Sequence, residues 1–414
     1  MDDELIDSGQ LSLSRKSQLP GTGFFYPDSL DESRTEERVA AAVDGAEVVV
    51  VADTDADGLG CVALLREVYD ATLSWGSFAD DVSERVDRWD EPAGDADDDE
   101  SEGGEEAEHP RSTVALVGAG PYSLDEALEH VAEYAPEGID LYVCDLCPDE
   151  YDWIADELGA AVDLAESTAW YDHHQWDDEA AESVRDAGVD LVVGESDEEC
   201  STDVTLRSLD YDFGDQWTEL AAVTRDHDLW QKEDPRSDDL ADYAYWTSPE
   251  EYVTMVGTFG VDLPEVVAEY IDLRRVEKDE LIDAAVSRAE LKRVGPWTVG
   301  VTYGRCSQNE VAEALREQGA DAAVVVKPAG SASIRGSEGF ERAHEVAGRV
   351  NGGGHPRAAG CKPDIYDDIL DYAHHWTTNG ATTKRVILRA FEAVAEAVEA
   401  EDAADGGKAD ASGE

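Results

Sequence analysis

The sequence predicts an α/β protein: an N-terminal parallel-sheet domain with helices on both faces, a helical linker, and a smaller C-terminal α/β domain. Three observations lead there. Short β-branched runs alternate with helical stretches through the first half, the pattern of a parallel sheet covered by helices. The same alternation restarts after a long helical stretch near residue 293. And 414 residues with 42% hydrophobic content suit two or three domains with sizeable cores.

Taken in order, residues 1–35 read as an extension, with GTGFFYPDSL supplying aromatics that pin it to the body. Residues 36–250 form the first domain. Its strands are expected at Glu47–Val51, Val114–Val117, Ile139–Cys144 and Thr168–Tyr171, with a helix from about Leu59 after the first. Ser123 and Glu126 in SLDE fit a capping box. Between the first helix and the second strand, residues 88–110 are acidic, low in complexity and punctuated by Gly and Pro, the signature of a disordered insertion. Residues 251–293 read as a helical connector. Residues 294–400 hold the second domain: strand Trp297–Tyr303, a capping box from Ser307 to Glu310, strands near Ala322–Lys327 and Ser331–Arg335, then a glycine-rich loop and two helices. Residues 401–414 are a frayed tail, and the active site is expected in a cleft between the two lobes.

Charge is extreme, with 98 acidic against 31 basic residues and a formal net of −67, spread along the whole chain. At molar salt the Debye length falls to about 3 Å, so like charges stop repelling and carboxylates hold hydration. This composition fits a host that keeps molar salt in its cytoplasm, as haloarchaea do, and it does not exclude a nucleic-acid partner. Six cysteines without a secretory context imply free thiols in a reducing compartment. Cys144 and Cys147 form a C-x-x-C, but no second pair completes a zinc site, and Cys144 sits in an apolar strand pattern. The N-terminus is acidic where a signal peptide is basic, and no apolar run approaches the roughly 20 residues a bilayer needs. The expectation is a cytoplasmic protein with no membrane partner.

The chemistry concentrates where elements end. In VVVVADTDADGLG, Asp53, Asp55 and Asp57 alternate just after a strand, in the crevice where open α/β sheets bind ligands. Carboxylates this close repel, and a divalent cation resolves the cost. LYVCDLCP ends a third strand in Asp145, AWYDHHQW ends a fourth in Asp172, His173 and His174, and AAVTRDHDLW closes a helix with Asp226 and Asp228. Carboxylates with neutral imidazole suit Mn²⁺ or Mg²⁺. In the second domain, Gly352, Gly353 and Gly354 let backbone N–H groups approach an anion, near Arg335 and His355. His374 and His375 read as the last turn of a helix, His130 and His344 as helix-face residues, and His109 falls in the acidic insertion.

DTDADG, a lone strand-end Asp, DHH and RDHD match in order the four motifs of the DHH phosphoesterase superfamily. SIRG followed by NGGGHPRAAG resembles the DHH-associated substrate domain, so the resemblance spans about residues 45 to 365. It implies a two-metal phosphodiester hydrolase, with Mn²⁺ as the preferred pair of cations and Mg²⁺ as the other choice. Asp53 and Asp55 would hold the first ion, Asp57 the second, and Asp145 would bridge them. His173 would bind the second ion, with Asp226 completing its shell and Asp172 orienting His173. Asp228 is open between ligand, support and cap. His174, Arg335 and His355 would contact phosphate. Pyrophosphatase-like and many oligonucleotide-cleaving relatives carry a histidine four residues before the second aspartate. Here that position is Val51, as in the RecJ-like branch. The implied substrate is single-stranded nucleic acid or a short oligonucleotide, with Trp176 or Trp230 stacking on bases. The alternatives are a nanoRNase-like enzyme taking pAp, a cyclic-dinucleotide phosphodiesterase, or a non-catalytic scaffold with protein partners in a nucleic-acid-processing assembly.

Overall fold

A computed structural model describes residues 28–90, 111–120, 123–148, 150–365 and 369–410, which divide into two compact units, 28–274 and 275–410. The aromatic segment expected to pin the extension, nearly all of the acidic insertion and the last four residues lie outside the described residues.

The first unit is built on helix α1 (Asp28–Val43), strand β1 (Val48–Ala52), helices α2 (Ala56–Val68) and α3 (Gly76–Asp90), strand β2 (Val114–Gly118), helix α4 (Leu124–Tyr134) and strand β3 (Asp140–Cys144). Helix α5 (Ala155–Leu164), strand β4 (Ser167–Asp172), helix α6 (Asp178–Asp186) and strand β5 (Asp190–Val193) complete the sheet. Helices α7 (Ser201–Ser208), α8 (Asp215–Asp228), α9 (Arg236–Trp246) and α10 (Pro249–Phe259) follow.

All five strands run parallel in the order β2-β1-β3-β4-β5. Val51 lies level with Val117 and Val143, and Cys144 with Tyr171, so the carboxyl ends of β1, β3 and β4 meet along one edge. The order turns around β1, and such a switch point is where an open α/β sheet leaves a crevice. β1 is buried throughout. Val48, Val50 and Ala52 pack into a core with α2, α8 and α10, while Val49 and Val51 pack into another with α4 and α5. Helices therefore cover both faces, and the unbroken valine run is what that burial demands.

Three local readings change. Helix α2 begins at Ala56, three residues before the expected start, because the Asp55 side chain accepts from the N–H groups of Asp57 and Gly58 and caps it. Ser123 forms no capping box; its hydroxyl accepts from the Gly120 N–H at 3.0 Å instead. Strand β5 is absent from the expected elements, since four residues are too short to show a period.

Helix α11 (Glu265–Ser287) and strand β6 (Glu290–Val294) occupy most of the stretch expected to be a helical connector. The second unit continues with β7 (Trp297–Tyr303), α12 (Gln308–Glu317), β8 (Ala322–Val326), β9 (Ala332–Gly336), α13 (Ala343–Gly348), β10 (Gly352–Gly354), β11 (Ala358–Cys361), α14 (Ile369–Thr377) and α15 (Ala381–Asp410). Its sheet order is β10-β11-β9-β8-β7-β6, with only β7 and β8 parallel. Half of the expected box at Ser307 forms: Ser307 caps the Glu310 N–H at 3.5 Å, but the Glu310 carboxylate pairs with Lys278 at 3.2 Å. His375 is buried against Tyr303 and bonds the Lys327 carbonyl, which makes it a packing residue. Among the described residues no helix is long and apolar enough to cross a membrane.

Candidate metal centre

Three strand ends and one helix end supply the acidic residues of the first unit. After β1 the chain turns tightly through Asp53, Asp55 and Asp57. Gly58 is needed there because a Cβ would lie 2.2 Å from the Asp53 carbonyl oxygen. Asp57 is buried, and its carboxylate accepts from the N–H groups of Ser201 and Thr202 at 2.7 and 2.8 Å, at the start of α7. A carboxylate is well placed there, on the positive end of a helix.

Asp145 follows β3 in a left-handed backbone conformation, φ +58°. That strain costs about 1–3 kcal/mol, which burying one valine of β1 at about 1.5–3 kcal/mol is enough to offset. The turn aims the Asp145 carboxylate inward, where it is buried and accepts from Ser201 Oγ at 3.0 Å. Asp172 closes β4, fully buried. It accepts from Trp176 Nε1 at 2.6 Å and meets His174 Nδ1 at 2.8 Å. Asp172, expected beside His173, has its side-chain contact with His174 instead. Trp176, expected as a base-stacking residue, uses its N–H to hold Asp172 and its ring edge against Trp170.

His173 Nε2 stands 3.4 Å from Asp228 Oδ2, 3.8 Å from Asp145 Oδ1 and 4.0 Å from Asp57 Oδ2. Two groups of donors share it: Asp145, His173 and His174, and Asp57, His173 and Asp228, each with ligand atoms within 4.8 Å of one another. Asp53 and Asp55 stand outside both groups but press on them electrostatically, raising Asp145. Asp226 is placed differently from the expectation. Its Oδ1 accepts from the Glu233 N–H at 2.7 Å and its Oδ2 from Ser237 Oγ at 2.6 Å, so it braces the loop after α8. Asp228 is the residue of that motif that reaches His173. His227 bonds Asp238 at 3.1 Å.

The electrostatics of the cluster favour a cation among these groups. Burial and then Asp55 push the Asp53 carboxyl up to about 7. Burial, then Asp57 and Asp55, hold Asp145 and Asp228 well above the usual carboxylate range. Burial alone would lower His174, but its bond to Asp172 and the surrounding carboxylates carry it up to about 9. Among the described residues no Lys or Arg pairs with Asp57, Asp145, Asp172 or Asp228; their ion-pair partners are the two histidines.

Buried like charges without a counter-charge are costly, and the orphaned atoms show where one belongs. Asp228 Oδ2 and His173 Nδ1 are buried without a hydrogen-bond partner among the described residues. Two ligands about 2.1 Å from one ion at a right angle lie about 3 Å apart, close to the 3.4–4.0 Å spread around His173 Nε2. The donors are oxygen and imidazole, a set for a hard divalent cation. Cys61 and Cys144 are both fully buried, and burial together with the contact to Cys144 raises the Cys61 thiol, so Cys61 offers no thiolate.

In the second unit the anion-binding candidates also gather. Arg335 on β9 is paired in register with Ala358 of β11, and its Nε donates to Asn309 in the first turn of α12 at 2.7 Å. Of the three glycines, Gly352 and Gly354 are explained by packing. A Cβ at Gly352 would lie 2.1 Å from the Gly360 carbonyl oxygen, and Gly354 has φ +129° with the Ala358 carbonyl at 2.7 Å. Gly353 faces open space. The loop is thus a β-hairpin turned by His355, whose N–H donates to the Ala358 carbonyl and whose side chain is exposed. The sequence reading missed Lys327, at the end of β8. Burial and then the Arg335 guanidinium lower it to about 8. Among the described residues no Asp or Glu pairs with either cation.

Neither a family model nor a curated protein matches the sequence. Solved structures do resemble it. The DHH domain of a protein described as belonging to a family of ribosomal proteins is 15% identical, covers 91% of this chain and 94% of its own, and has a TM-score of 0.49. Exonuclease RecJ bound to manganese is 13% identical over 85% of this chain and 94% of its own, at 0.47. A pGpG-specific phosphodiesterase from Vibrio cholerae is 12% identical over 82% and 98%, at 0.44.

Proposed function

We propose that this protein is a metal-dependent phosphodiesterase of the DHH type, acting on single-stranded nucleic acid or short oligonucleotides. The observation that carries the reading is the convergence of buried Asp57, Asp145, Asp172 and His173 with Asp228 at one sheet edge, without a Lys or Arg partner among the described residues. Asp57, His173 and Asp228 would hold one divalent cation. Asp145 would reach a second, with Asp53 and Asp55 beside it, and Mn²⁺ is the proposed occupant of both. Such a pair of ions supplies an activated water and neutralises charge on phosphate oxygens. The chain's own groups do the rest. His174, cationic at neutral pH, donates Nδ1–H to Asp172 and can present its second N–H to a phosphate oxygen. The Asp172 carboxylate keeps that imidazole charged and oriented, and Trp176 fixes the carboxylate.

The test is a substrate panel in molar KCl with Mn²⁺: labelled single-stranded DNA and RNA, a dinucleotide, pAp and a cyclic dinucleotide. Faster turnover of the strands and the dinucleotide than of pAp or the cyclic dinucleotide supports the reading. A preference for pAp or the cyclic dinucleotide moves the substrate class, and hydrolysis of none rejects the enzyme.

Arg335 and Lys327 are proposed to take a phosphate in the second unit. Lys327 carries its charge below about 8 and loses it as pH rises through that value, so anion affinity should fall on the alkaline side. Losing one close positive charge is worth about 1.4 kcal/mol, or about tenfold. Phosphate titration calorimetry at pH 7 and pH 9 should show that drop, and Lys327→Met should show the weaker affinity at both.

A further inference from the structure

Ser201 belongs to none of the acidic motifs, yet it touches three of the carboxylates those motifs supply. It is fully buried at the first position of α7. Its N–H donates to Asp57 Oδ2 at 2.7 Å. Its hydroxyl donates to Asp145 Oδ1 at 3.0 Å and lies 3.4 Å from Asp172 Oδ1. Asp57 comes from α2, Asp145 from the end of β3 and Asp172 from β4, so one residue addresses carboxylates from three separate elements.

The neighbour completes the device. The Thr202 N–H donates to the other Asp57 oxygen, and the Thr202 hydroxyl donates to the Asp57 carbonyl at 2.9 Å. That hydroxyl presses on Gly60, where a Cβ would lie 2.4 Å from it. The contact sets how closely the start of α7 approaches α2, and it is the second reason for glycine in DGLG.

We infer that Ser201 is a positioning residue of the metal centre, holding Asp145 in ligating register and Asp172 in place behind His174 while its backbone anchors Asp57. The inference rests on the metal-centre reading above. Carboxylates crowded without a counter-charge repel and swing apart, and a hydroxyl between two of them supplies one proton to hold both. The shorter contact makes Asp145 the main acceptor. Groups that orient ligands in this way typically alter metal affinity by about 10–100-fold when removed.

The experiment measures Mn²⁺ binding to the full chain by titration calorimetry in molar KCl, with thermal melting in EDTA alongside. Ser201→Ala should bind Mn²⁺ about 10–100-fold more weakly while melting in EDTA within a few degrees of the wild type. Thr205→Val is the control. Thr205 is buried in the same helix, and its hydroxyl has no hydrogen-bond partner among the described residues. That variant should bind as the wild type does. Equal affinity in Ser201→Ala, or an equal loss in Thr205→Val, overturns the role of Ser201 alone. A wild type that binds no Mn²⁺ overturns the metal-centre reading instead.

Discussion

Asp145→Asn and His173→Ala should each lower Mn²⁺-supported phosphodiester hydrolysis by about three orders of magnitude or more, as loss of several kcal/mol of transition-state stabilisation requires. His173 is shared by both donor groups, so its removal weakens each at once. Asp145 lies between the two histidines, 3.8 Å from one and 3.9 Å from the other. The Asn variant keeps the shape of the side chain and removes only its charge. Activity on bis-nitrophenyl phosphate and on labelled single-stranded DNA reads the loss. A second measurement separates a metal site from a merely structural cluster. In EDTA, Asp145→Asn should melt several degrees higher than the wild type, because one of several crowded buried charges is gone. With Mn²⁺ the order should reverse, since a ligand at 100 times its dissociation constant stabilises by about 2.7 kcal/mol and the variant forfeits most of that. Full activity in both variants would remove the site as described.

Much of this arrangement is legible in the sequence because strand ends are marked by composition. Glu47–Val51 reads as a strand and forms one over Val48–Ala52, and the acids directly beyond it have to emerge at its carboxyl end. The same holds for Asp145 after Cys144 and for Asp172 at the end of β4. What the sequence hides is whatever depends on packing between elements. Ser201 carries no periodic or motif signal; only the approach of α7 to three carboxylates gives it a role. The glycines of the NGGGH run read as an anion cradle, but two of the three are dictated by how near β11 lies. Strand β6, with Glu290, Lys292 and Arg293 among its five residues, lacks the apolar content that marks a strand and reads as part of the helical connector. Lys327 looks like any surface lysine until burial beside Arg335 is known.

The same limit applies to RDHD, where sequence alone cannot choose between Asp226 and Asp228. Both lie in the last turn of α8, and residues two apart point about 200° apart around a helix, so only one can face the centre. The phase is set by packing: Asp226 turns toward Glu233 and Ser237, and Asp228 toward His173. Asp228→Asn should therefore lower Mn²⁺ affinity and turnover by about 10²-fold or more, with melting in EDTA unchanged or raised because a crowded charge is lost. Asp226→Asn should behave in the opposite way. It weakens two hydrogen bonds from buried or half-buried donors, at about 1–3 kcal/mol of stability, and loosens the loop that carries Trp230 and Lys232 in left-handed backbone conformations. Turnover should fall less than in Asp228→Asn, and saturating Mn²⁺ should recover most of it. Calorimetric Mn²⁺ titration and denaturant melts of the two variants side by side decide the point. Loss of metal binding in Asp226→Asn with Asp228→Asn unaffected would exchange the two roles and return the ligand to the first aspartate of the motif.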